Sequence, residues 1–206
     1  MLRNNWSDAA DQLMRRCGPS QAEATSCATP RRRGYLILGP QELRGWPPRD
    51  ERVDRASGVW SIWMPGFCQF VTGVILFVGM TWFQVFTKDK ALYMAALAFS
   101  AYGIHWFALG WNRYQRNDPR PNAGMCVAYT IISVLGMVVF FDGGGWPVGL
   151  LFLGLTLIYV SDFFASVGKA WGERSLGLWH LVTGVWLMYL TFATTVNFSL
   201  GWTWPA

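Results

Sequence analysis

The stretch Met64-Pro-Gly-Phe-Cys-Gln-Phe-Val-Thr-Gly-Val-Ile-Leu-Phe-Val-Gly-Met-Thr-Trp-Phe-Gln-Val-Phe86 runs for 23 residues without a charge. A helix rising about 1.5 Å per residue crosses a hydrocarbon core of about 30 Å over that length, so the stretch predicts a membrane span. Four further stretches read the same way: Ala91 to Asn112, Asn122 to Phe141, Pro147 to Gly168 and Leu176 to about Phe198. The breaks between them carry charge, proline or glycine: Thr87 to Lys90, Arg113 to Pro121, Asp142 to Trp146 and Lys169 to Ser175. The expected fold is all-α, a polytopic integral membrane bundle of five helices over residues 64–200. A short extracytoplasmic end, 201–206, follows it.

Composition agrees with that reading. Of 206 residues, 52% are hydrophobic and 14% charged, against roughly 25% charged in a soluble domain. Thirteen Trp, fourteen Phe and seven Tyr complete a content that a single water-facing core of this size cannot absorb. A soluble enzyme is excluded on these grounds. Trp60, Trp63, Trp82, Trp111, Trp146, Trp179, Trp202 and Trp204 fall near span ends, where indole rings anchor at the membrane interface.

Charge sets the orientation. Ten of the 17 Lys and Arg lie in residues 1–55, which mix Arg, Asp, Glu, Pro and Gly. The longest apolar run there, Tyr35 to Leu38, is too short to cross a bilayer. Residues 1–63 are therefore expected to form a disordered basic tail and lead-in, with Arg31, Arg32 and Arg33 touching anionic lipid or solvent rather than nucleic acid. No signal-peptide pattern opens the chain, and no apolar run follows the Arg15-Arg16 pair. With the tail on one face, Arg113, Arg116, Arg120, Lys169 and Arg174 join it there, while Lys88 and Lys90 stand opposite. The excess of positive charge predicts a plasma (inner) membrane protein with a cytoplasmic N-terminus and Gly201 to Ala206 outside.

Projection at about 100° per residue gathers the polar residues of each span into one stripe. The stripes are Gln69, Thr72 and Gly79; Tyr102, His105 and Asn112; Asn122, Tyr129, Thr130 and Ser133; Thr156, Tyr159, Asp162 and Ser166; and His180, Thr183, Thr191 and Thr194. Lipid offers these groups no partner, so they are expected to face one another, a second subunit or a water-filled path. The Ser and Thr positions alone suit plain packing. His105, Asp162 and His180 carry more information, because all three fall at a similar depth in the half of the bundle nearer the N-terminal side. They are expected either to handle protons around a solute path or to form an Asp–His bridge between helices.

Other features are quieter. Cys17, Cys27, Cys68 and Cys126 have no metal-ligand spacing, and Cys68 and Cys126 read as small buried hydrophobes. No nucleophile, phosphate-loop or dinucleotide motif is present, so neither enzymatic chemistry nor a cofactor or metal is expected. Small residues, among them Gly66, Gly73, Gly103, Gly149, Gly154, Gly177 and Gly184, mark places where helices can approach closely.

The run Ala101-Tyr-Gly-Ile-His-Trp-Phe-Ala-Leu-Gly-Trp-Asn-Arg-Tyr-Gln-Arg-Asn117 resembles the second helix of the acetate uptake transporter family. Gly103, Gly110, Tyr114, Arg116 and Asn117 occupy the matching places, and the Pro65-Gly66-Phe67 opening of the first span is similar. The chain has five predicted spans where that family has six. The resemblance implies a ring-forming homo-oligomer that passes acetate or another small monocarboxylate, with Pro65, Gly66, Gly103 and Gly110 shaping the path. His105, Tyr159, Asp162 and His180 would complete it. The Trp- and Gly-rich fourth and fifth spans also resemble the urea and amide channel family, which implies a neutral solute. An accessory subunit of a larger membrane complex is the third reading.

Overall fold

A computed structural model describes residues 34–84 and 90–206. They form α1 (Gly34–Arg44), α2 (Glu51–Ser61), a π-helical stretch (Ile62–Phe67), α3 (Cys68–Thr81), α4 (Lys90–Gln115), α5 (Asn122–Asp142), α6 (Trp146–Ser166) and α7 (Ala170–Leu200). The described residues contain no strand, and the molecule is an all-α bundle.

Among the described residues, five helices are long and apolar enough to cross a membrane: Glu51–Thr81, Ala91–Gln115, Asn122–Asp142, Trp146–Ser166 and Ala170–Leu200. The first of them joins α2 and α3 through the π-helical stretch. Pro65 lies within that stretch and cannot donate a backbone hydrogen bond, and widening the turn there lets one helix pass through the proline instead of ending at it. Large apolar side chains cover the outside, including Ile75, Ile131, Val138, Val185 and Phe192. An apolar exterior of that extent is what a lipid-facing surface requires.

Two expectations for the N-terminal region are corrected. Residues 34–44 and 51–61, read above as disordered, are helical, and the first span begins at Glu51 rather than Met64. Asp50 caps α2 through a 2.8 Å bond from Val53 N to its carboxylate, and the acidic Glu51 and Asp54 stand in the first turn. Residues 1–33, with Cys17, Cys27 and the triple arginine, lie outside the described residues.

Helix α1 is the element that the hydropathy pattern missed. Its 11 residues reach only about half the thickness of a bilayer core. It runs antiparallel to the first half of α7: Tyr35 and Leu36 lie against Gly184, Gly39 against Leu181, and Leu43 against Gly177. Gly177 and Gly184 are one heptad apart and clear a track for it. A Cβ at Gly177 would stand 2.4 Å from the backbone nitrogen of Leu43, closer than two atoms can pack. Tyr35 and Leu38 are consequently buried.

The helices α4, α5, α6 and α7 follow one another as neighbours, and α1 lies between α7 and α4. The first span packs outside this ring against α4. The core joins Tyr35, Leu38, Met94, Tyr102, Trp106, Tyr129, Phe152 and Tyr159 into one cluster.

Candidate functional site

The ring encloses a cavity of about 420 Å³ near the ends of the helices that carry Arg113, Ser166 and Glu173. All five surrounding helices contribute to its wall. Each does so with a polar residue at the inward face of its repeat: Glu42, His105, Asn122, Asp162 and His180.

Glu42 projects from α1 between two spans. Its Oε1 accepts from Arg113 Nη2 at 3.0 Å, and its Oε2 lies 2.6 Å from His180 Nδ1. A carboxylate in this setting only accepts, so Nδ1 carries the proton and donates. Arg113 also donates from Nη1 to Gln41 Oε1 at 2.7 Å, which ties it to α1 twice. Glu42 is almost fully enclosed, and burial by itself would push its carboxyl up. The neighbouring His180 and Arg113 outweigh that and hold it below the usual carboxylate value. Buried charges persist only when paired in this manner.

Asp162 satisfies its charge differently. Oδ2 accepts from Asn122 Nδ2 at 2.8 Å and from Cys126 Sγ at 3.3 Å, while Oδ1 accepts from Ser166 Oγ at 3.3 Å. Asn122 and Cys126 stand one turn apart on α5, and Asp162 and Ser166 one turn apart on α6, so two i,i+4 pairs interlock across the interface. No Asp–His bridge forms, because Glu42 claims His180. Cys126 is buried as expected but acts as a thiol donor rather than a plain hydrophobe. Cys68, expected to be buried, is exposed on the outer face of the first span.

His105 is held by rings. Tyr129 lies 4.7 Å from it and Tyr159 5.3 Å, both edge-on, and Trp106 follows at 6.4 Å. Tyr102 stacks on Tyr159 at 5.4 Å and exchanges a 2.7 Å hydrogen bond with Ser133 Oγ. The aromatic group closes the deep end of the cavity, while Arg49, Arg116 and Asn117 surround the shallow end.

Of the eight residues named from the sequence, His105, Tyr159, Asp162 and His180 meet on the cavity wall. Pro65, Gly66, Gly103 and Gly110 sit where the first span crosses α4. A Cβ at Gly103 would stand 2.6 Å from Phe70 N, and one at Gly110 would stand 2.6 Å from Gly58 O. Those glycines bring two helices together, away from the cavity. Sequence reasoning missed Glu42, Tyr35 and the role of Arg113. The available signal was the pair Gly177 and Gly184, whose cleared track implied a close neighbour that the five spans did not supply.

The geometry defines a class, a multi-pass α-helical membrane protein with a polar cavity inside its helix ring. Comparison with protein-family models, with curated proteins and with solved structures finds no match to this chain.

Proposed function

We propose that this protein is a membrane transporter or channel for a small organic acid such as acetate, linked to protons and working as a homo-oligomer. The observation that carries the reading is the meeting of His105, Asp162 and His180 around one cavity deep in the bundle. Ionisable groups inside a membrane protein are costly, and they occur where ions, protons or polar solutes pass. The resemblance of Ala101 to Asn117 to the acetate uptake transporter family supports the same solute class. The positive charge on the face of Arg113, Arg116, Arg120, Lys169 and Arg174 supports a cytoplasmic N-terminus in the plasma (inner) membrane.

One observation favours a second reading. Both deep carboxylates are already satisfied by protein donors, Glu42 by Arg113 and His180, and Asp162 by Asn122, Cys126 and Ser166. Such a wall also suits a neutral amide or urea. Uptake of labelled acetate and labelled urea into proteoliposomes separates the readings. Acetate uptake that an inward proton gradient accelerates and Asp162→Asn abolishes is the expected result. Urea uptake indifferent to Asp162→Asn supports the neutral-solute channel, and absence of either flux supports an accessory subunit.

A further inference from the structure

Glu42 orients the ring of His180. With Nδ1 donating to Glu42 Oε2 at 2.6 Å, the other ring nitrogen, Nε2, presents a lone pair. The side chain is 6% exposed and lines the cavity. Nε2 has no hydrogen-bond partner among the described residues, yet it is not sealed off, so its remaining surface belongs to the cavity. The other charged groups on that wall are engaged. Asp162 accepts from Asn122, Cys126 and Ser166, Arg113 is held by Glu42 and Gln41, and Glu173 pairs with Arg49 at 3.3 Å. Asp54 and Arg116 stand on the same wall, as do the phenols of Tyr35 and Tyr159. His105 lies among rings with no carboxylate bonded to it, so a proton there would stand as an unpaired cation.

We propose that the Glu42–His180 pair is the proton acceptor of the cavity and that Nε2 is the atom on which a small carboxylic acid docks. The acid hydroxyl donates to the Nε2 lone pair. On transfer the O–H bond breaks, its electron pair stays on the carboxylate and an N–H bond forms at Nε2. Glu42, still bonded through Nδ1, stabilises the imidazolium. Nε2–H then donates to the carboxylate oxygen, so one atom holds the solute in both of its protonation states. Urea or an amide has no proton of comparable acidity to give, and the pair therefore selects weak acids. This assignment rests on the proposed organic-acid reading and adds which ionisable group takes the proton.

Proton uptake on binding of labelled acetate, by the full chain in detergent and weak buffer, tests it, with His180→Asn as the variant. The asparagine amide nitrogen can keep the bond to Glu42 where Nδ1 stood, whereas Nε2 is lost. At about pH 8, where free acetate and free imidazole are both deprotonated, the wild type is expected to take up about one proton per acetate bound. His180→Asn is expected to take up none and to raise the acetate Kd about tenfold, the worth of a hydrogen bond to a charged group. Should His180→Asn fail to fold, the untagged wild type supplies a second readout, because the chain has only two histidines. With 15N-labelled protein, acetate should convert a bare ring nitrogen into a protonated one at the histidine whose Nδ1–H signal the Glu42 bond carries downfield. Proton uptake that His180→Asn preserves, or protonation of the other histidine, overturns the acceptor and keeps the organic-acid reading. Acetate binding without proton uptake overturns the acceptor in the same way. Failure of the wild type to bind acetate overturns both.

Discussion

Glu42 is the residue on which the inner arrangement turns, because it neutralises Arg113 and orients His180 with its two oxygens. Replacing it with glutamine leaves the buried guanidinium of Arg113 without a counter-charge. Such a break costs about 3–5 kcal/mol, and thermal unfolding in detergent should show Glu42→Gln strongly destabilised. The same measurement across pH checks the electrostatics. Glu42 is held below its ordinary value in the folded chain, so its contribution is complete above the unfolded value of about 4.3 and drains away as pH falls beneath it. The wild type should therefore lose stability below about pH 4.3 relative to Glu42→Gln, and parallel curves would contradict the pairing.

Helix α1 carries the same question at the scale of an element. It is too short to span and contains Pro40 and Glu42, and it keeps its place by fitting the glycine track on α7. Gly177→Ala puts a methyl against the Leu43 backbone, and overpacking of this kind costs about 1–3 kcal/mol. The variant should loosen α1 and expose His180, which faster amide exchange across residues 35–44 would register; unchanged exchange would contradict the fit. The spans themselves were legible because 20 or so uncharged residues have one stable outcome in lipid, whatever their neighbours do. Helix α1 was not. Its burial depends on Gly177 and Gly184, far along the chain, and no local periodicity encodes that. The candidate site divides in the same way. His105, Asp162 and His180 could be placed at one depth by counting residues from the span ends, whereas the partners of Asp162 follow from the register of α5 against α6. Gly103 was read as a site of close approach, whereas Gly110 was expected only to shape the path and instead meets Gly58; spacing alone does not say whether a glycine faces a helix or a path.

At the largest scale, the described residues form a helix ring with an apolar exterior and a polar cavity that opens towards the face bearing Arg113 and Lys169. Reaction of single cysteines with a membrane-impermeant thiol reagent tests that claim most directly. Leu109→Cys and Ala165→Cys on the cavity wall, with Val138→Cys on the outer surface as the control, would be read after Cys17, Cys27, Cys68 and Cys126 are replaced by serine. The account predicts labelling at 109 and 165 from the face of Arg113 alone, slowed by acetate, with position 138 silent. Silence at both cavity positions, or labelling from the opposite face, would contradict it.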